Sequence, residues 1–161
     1  MKDNGFFLVS VVIPTYNHGH YLGRALQSVI DQTYSNWEII IIDNHSTDHT
    51  NEVIVSFNDP RITYLKIHNK GVIAASRNAG IRVSKGEWIA FLDSDDYWTK
   101  YKLQECLDII NDKVDLVYHD LEGISSQKSL SKGKMKKSRQ VKSPVIIDLL
   151  TRGNAMINSS V

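Results

Sequence analysis

The chain has a single cysteine, Cys106, so it can form no internal disulfide. That excludes the disulfide-stapled secreted scaffolds and fits a reducing compartment. Long apolar runs are also missing. The longest nearly unbroken ones, Val9 to Ile13 and Ile39 to Ile42, are far shorter than the roughly 20 residues a membrane helix needs. The first residues, MKDNGFFLVS, carry one lysine and one aspartate and no small-residue cleavage site, so no signal peptide is read there. The loop PTYNHG lacks both G-x-G-x-x-G and G-x-x-x-x-G-K-[ST]. A dinucleotide site or a P-loop therefore has no support. The six histidines are scattered, most of them expected at the surface, and with the lone cysteine they form no zinc pattern.

What is present is ordinary for one soluble globular domain: 161 residues, 42% hydrophobic and 23% charged. The net charge of +1 conceals an asymmetry. Residues 123–143 hold seven basic side chains (Lys128, Lys132, Lys134, Lys136, Lys137, Arg139, Lys142) and no acidic one. The rest of the chain, with 12 basic against 18 acidic residues, carries −6. Such a segment reads as a solvated basic loop, or as a patch over 128–142 that meets an anionic membrane surface or a phosphate-bearing acceptor. No aromatics interleave the lysines, which speaks against nucleic acid.

Alternating elements follow along the chain. Leu8 to Ile13 is a β-branched apolar run expected to be a strand buried on both faces and ended by Pro14. Leu22, Ala25, Leu26, Val29 and Ile30 form a helical stripe within 18–32, with Asn17 as the expected cap. Trp37 to Ile42 is a second strand. Ser46, Thr47 and Asp48 are expected to cap a helix through Val53, Ile54 and Phe57, which Asn58-Asp59-Pro60 ends. Ile62 to Ile67 is a third strand, and a helix over 71–84 stops at Gly86. Glu87 to Leu92 is a fourth strand. A helix with Leu103, Cys106, Leu107 and Ile110 inward follows, then a fifth strand, Val114 to His119. Residues 144–150 read as a short helix and 155–161 as a strand. This order predicts an α/β fold with a largely parallel sheet and helices on both faces.

In such sheets ligands bind beyond the carboxyl ends of the strands. Polar sets fall there four times: Thr15-Tyr16-Asn17, Asp43-Asn44, His68-Asn69-Lys70 and Asp93-Ser94-Asp95. The last belongs to FLDSDDYW, residues 91–98, where three carboxylates crowd the exit of a buried strand. A receiver domain also gathers aspartates at strand ends, but it needs paired acids after the first strand, where Pro14-Thr15 stands. Asp-x-Asp on a tight turn suits a hard divalent cation whose other ligands come from phosphates. Asp96 is expected to cap the next helix and Trp98 to join the core.

Four stretches carry a resemblance: PTYNHGHYLGRALQSVIDQTY, WEIIIIDNHSTDHT, NKGVIAASRNAGIRVSKGEWIAFLDSDDYW and VDLVYHD. In this order, from about Val9 to Asp120 and again weakly in LLTRGNAMINSS, they resemble the family 2 glycosyltransferases of GT-A fold, Rossmann-like in their sheet. The resemblance implies inverting transfer of a sugar from a nucleotide diphosphate donor, with Mn2+ or Mg2+, to a saccharide or lipid-linked acceptor. It implies a role in bacterial surface polysaccharide synthesis, in the cytoplasm or peripherally at the inner membrane face. It places Pro14, Thr15 and Tyr16 beside base and ribose, and Asp43 and Asn44 at the base edge. Arg77 would reach the base or diphosphate, or else pair with a neighbouring acid. Asp93 and Ser94 would contact the ribose or a metal-bound water, and Asp95 would ligate the metal, with Asp93 its second candidate ligand.

Two departures shape the expectation. Asn44 stands where many members have a second aspartate, which leaves UDP-, dTDP- and GDP-sugars open as donors. The family's general base lies downstream of the Asp-x-Asp in the acceptor-side half, so it is expected beyond Val161, with Asp120 a weak candidate inside the chain. The implied organisation is a nucleotide-sugar-binding core over 1–122, a basic loop over 123–143 and the start of an acceptor-side region over 144–161. A non-catalytic nucleotide-sugar-binding module of the same fold is the competing reading.

Overall fold

A computed structural model describes residues 7–122 and 135–140. The expected elements at 144–150 and 155–161, and most of the basic stretch, lie outside the described residues. Two compact units divide between Ile109 and Ile110. The first contains β1 (Val9–Thr15), α1 (Gly19–Ile30), β2 (Trp37–Asp43), α2 (Thr50–Phe57), β3 (Ile62–Lys66), α3 (Ile73–Val83), β4 (Trp88–Phe91) and α4 (Lys102–Asp108). Its four strands are all parallel, in the order β3-β2-β1-β4. The strand order reverses at β1, so the cleft expected at a switch point lies beyond the carboxyl ends of β1 and its neighbours β2 and β4.

Every residue of β1 and β2 is buried, as the continuous apolar runs require. Alternate side chains serve two layers. Val9, Val11, Ile13, Trp37, Ile39 and Ile41 pack with Leu22, Ala25, Leu26 and Val29 of α1 and Ile54 of α2. The other face is covered by α3, which packs on β1 and β2. A Cβ on Gly80 would lie 2.4 Å from Val12 Cγ1, so glycine lets this helix sit directly on the strand. The α/β architecture with helices on both faces is thus present.

Several local expectations are corrected. Pro14 does not end β1, which runs on to Thr15 in register with β2. Val12 O accepts from Leu92 N on the β4 side and Thr15 O from Asn44 N on the β2 side. The missing N–H of Pro14 therefore falls on the β4 side, beyond the last β1–β4 pair at Val12 and Phe91, where no ladder bond is lost. Gly86 is no helix stop: Ser84 follows α3 in extended conformation. A Cβ on Gly86 would instead meet Leu8 O at 2.4 Å, so this glycine is needed where the chain passes β1. Asp96 caps no helix either, because α4 begins only at Lys102.

In the second unit the expected strand 114–119 is absent. Its place is taken by a two-residue antiparallel pair, β5 (Leu121–Glu122) with β6 (Met135–Lys136). Part of the stretch read as a basic loop is therefore strand. Ser138 reinforces the hairpin, its N donating to Asp120 Oδ1 at 2.7 Å and its Oγ to His119 O at 2.8 Å. Among the described residues no helix is long and apolar enough to cross a membrane.

Candidate functional site

Three of the polar strand-end sets are laced together by side chain to backbone bonds. Asn17, in the left-handed region at φ 52°, caps nothing; its N donates to Ser46 Oγ at 2.8 Å and its Oδ1 accepts from Thr47 N at 2.8 Å. Asp48 accepts from Gly19 N at 2.9 Å and from the Thr50 hydroxyl and N–H. The Thr50 hydroxyl bond is the chief reason its carboxyl lies below the usual range. Ser46, Thr47 and Asp48 therefore latch the loop after β1 to the loop after β2, and Asp48, on the N–H of Thr50 at the start of α2, also takes up part of the capping that the sequence suggested. Asn44 Oδ1 accepts from Asn69 N at 2.9 Å and extends the lacing to the loop after β3.

Asp43 sits at the centre of this lattice with no exposed surface. Its Oδ1 accepts from Ser46 N at 2.9 Å and from Ser46 Oγ, and its Oδ2 accepts from the Tyr64 hydroxyl at 2.7 Å. Burial, helped by that bond, pushes the Tyr64 phenol well above its ordinary range. Asn17, His45 and Lys70, one from each of the three loops, take positive φ at 52°, 56° and 54°. Backbone in sparsely populated regions collects where loops are tightly specified. The rings of His45 and His68 stack at 3.8 Å across two of these loops.

The fourth set forms a turn closed by Asp96 N donating to Asp93 O at 3.0 Å. Asp93 Oδ1 receives Arg77 from α3 at 2.6 Å, an ion pair whose side chains are 29% and 13% exposed. Ser94 is buried, and its Oγ lies 2.7 Å from His18 Nδ1. The Asp95 carbonyl accepts from Arg24 Nη2 at 3.1 Å. The Asp95 carboxylate, in contrast, is exposed and makes no hydrogen bond or ion pair. Trp98 is core, as expected.

Of the residues singled out from sequence, Arg77, Asp93, Ser94 and Asp95 come together on this turn, and Asp43 and Asn44 on the neighbouring lattice. Tyr16 is 54% exposed beyond the end of β1. Pro14 and Thr15 are buried, and Thr15 Oγ1 has no hydrogen-bond partner. Asp120 belongs to the hairpin of the second unit, where Ser138 N occupies its carboxylate. The roles of His18 and Arg24 went unread. Their signal was faint: polar residues near the start of a helix that opens at a strand end.

A cation would find no ready cage here, since no cluster of three His, Cys, Asp or Glu side chains exists among the described residues. It would find two carboxylates without a hydrogen bond or ion pair, exposed Asp95 and half-buried Asp96, and a third, Asp93, shared with Arg77. Such a sparse oxygen set fits Mg2+ or Mn2+ that brings phosphate oxygens as its other ligands.

An open parallel sheet with polar loops at its carboxyl ends defines a Rossmann-like α/β binding domain. The particular family follows from comparison: residues 10–159 match the model of Glycosyl transferase family 2, and the chain belongs to that family. UDP-Glc:alpha-D-GlcNAc-diphosphoundecaprenol beta-1,3-glucosyltransferase WfgD of Escherichia coli is 34% identical over 127 residues, 78% of this chain and 50% of that protein. Glycosyltransferase GlyG of Streptococcus pneumoniae is 46% identical over 91 residues, 55% of this chain and 30% of that protein. The chain thus spans half the length or less of these curated relatives. The crystal structure of S. aureus TarS 1-349 in complex with UDP superimposes with a TM-score of 0.68 at 26% identity, covering 76% of this chain and 38% of that one. The GT-A architecture implied by the sequence is therefore that of the structure.

Proposed function

We propose that this chain binds the nucleotide diphosphate sugar in an inverting, metal-dependent sugar transfer. The observation that carries the reading is Asp95: an exposed carboxylate that makes no hydrogen bond or ion pair, at the corner of a turn that Arg77, His18 and Arg24 hold in place. Asp95, with Asp93 beside it, would hold Mn2+ or Mg2+. Bound there, the ion would supply charge neutralisation for the diphosphate leaving group. The chain's own residues do the rest. Tyr16 offers an exposed aromatic face to base or ribose, and the orphan Thr15 hydroxyl gains a partner when donor fills the end of β1. Arg77 holds Asp93 and can turn toward an arriving diphosphate. Asn44 keeps its carbonyl on Asn69 N and presents its amide group to the base edge. Asp43 reaches the base only if Ser46 or Tyr64 yields, so its first task is to fix the loop that does.

A uridine donor is supported by the UDP named for WfgD and by the UDP bound to TarS. The diphosphoundecaprenol in the name of WfgD supports a lipid-linked acceptor and a place in bacterial surface polysaccharide synthesis, at the inner face of the membrane. Calorimetry of UDP and GDP against the 161-residue chain, with and without Mn2+, tests the reading. Metal-dependent binding of UDP is expected, and its absence would overturn the assignment. Turnover of UDP-sugars with a lipid-diphosphate acceptor separates an enzyme from a binding module.

A further inference from the structure

The acidic turn is gripped from two helices, and the grips differ in kind. From α3, Arg77 takes a carboxylate, that of Asp93. From α1, Arg24 takes a backbone carbonyl, that of Asp95, at 3.1 Å and leaves the carboxylate of the same residue alone. The guanidinium is held in this pose by the ring of Tyr97, whose centroid lies 4.3 Å from Arg24 Cζ. His18 holds the preceding residue through Ser94 Oγ at 2.7 Å.

This choice of atom has a chemical consequence. An arginine paired with the Asp95 carboxylate would compete with a divalent cation for the same oxygens. An arginine on the carbonyl fixes the peptide between Asp95 and Asp96 and leaves the oxygens open. The turn has few other anchors at this position, since Asp95 is its exposed corner. Losing a residue that orients a ligand carboxylate without touching the ion typically costs about 10- to 100-fold in metal affinity.

We propose that Arg24 is a positioning residue for the metal carboxylate. With Tyr97 as its brace, it presents Asp95, unpaired, to a divalent cation carried by a nucleoside diphosphate. The proposal rests on the donor and metal reading given above. It extends that reading to a helix whose other known task is to fill the core with Leu22, Ala25, Leu26 and Val29.

The test compares wild type, Arg24→Met and Arg24→Lys by calorimetry with UDP, each with and without Mn2+, and by thermal unfolding. Arg24→Met should lose about tenfold of the metal-dependent gain in UDP affinity. Its metal-free UDP affinity and its melting temperature should stay at the wild-type values. Arg24→Lys should recover part of the gain, because an ammonium can still donate to the Asp95 carbonyl but lacks the flat face that stacks on Tyr97. An Arg24→Met chain with the full metal-dependent gain overturns the proposal and leaves the donor reading standing. Equal weakening with and without Mn2+ also overturns it, since that marks a structural effect only. If wild type shows no metal-dependent gain, the donor and metal reading itself fails, and Arg24 has nothing to position.

Discussion

Asp43 and Asp95 both stand where a parallel strand leaves the core, and they are opposite in state. Asp43 has no exposed surface and accepts three hydrogen bonds from Ser46 and Tyr64. Asp95 is exposed and accepts none on its carboxylate. One acid builds the end of the sheet and the other waits on it. Position at a strand end therefore does not say whether an aspartate is scaffold or ligand. On the reading proposed for Asp95, internal partners mark the scaffold acid.

The sharpest way to break this comparison is to delete each carboxylate in turn. Asp95→Ala should abolish the Mn2+-dependent part of nucleotide binding, seen by calorimetry, while stability stays within about 0.5 kcal/mol of wild type. Asp43→Ala should destabilise the fold by about 2–3 kcal/mol in urea unfolding, because it strands the Tyr64 hydroxyl and the Ser46 N–H without a partner. Similar stability losses in the two variants would show that the contrast is not real.

Alkali should separate the two ends next. Folding raises the Tyr64 phenol above its unfolded value, so its contribution is fully present below pH about 10 and is lost as pH rises toward the folded value. Tyr64→Phe should flatten that alkaline fall in a plot of unfolding free energy against pH. An unchanged slope would mean that Tyr64 is not held as the structure shows. The smallest effect sharpens the lattice around Asp43. Asn44→Asp keeps an oxygen for Asn69 N and adds charge toward the base edge, so it should favour UDP over GDP by on the order of 1 kcal/mol. No change in the UDP to GDP ratio would show that residue 44 does not read the base.

Much of the first unit was legible because its signals are redundant. Val9 to Ile13 and Trp37 to Ile42 are β-branched, nearly continuous and buried on both faces, so no other element suits them. The acidic turn was legible because three carboxylates beside a buried strand call for an explanation. What stayed hidden was the use of short polar side chains across space. Ser46, Thr47 and Asp48 have the chemistry of caps, and only tertiary placement shows that they latch a second loop. Pro14 looked like a stop because sequence does not tell which edge of a strand lacks a partner. Gly86 looked like a helix terminator, when the constraint is its approach to Leu8 and Ser10. Val114 to His119 alternates well enough for a strand but has no partner strand among the described residues.

Trp98 carries one more consequence. It stands two residues past the acidic turn, its N donates to Ser28 Oγ at 3.2 Å, and the Lys102 ammonium lies 4.5 Å from its ring. The other tryptophans, Trp37 and Trp88, pair with Val9 at the opposite end of the strands. Indole emission responds to nearby charge, so this arrangement amounts to a built-in optical gauge. Light from Trp98 would track the filling of the turn, and the two distant indoles would serve as its reference, with no added dye.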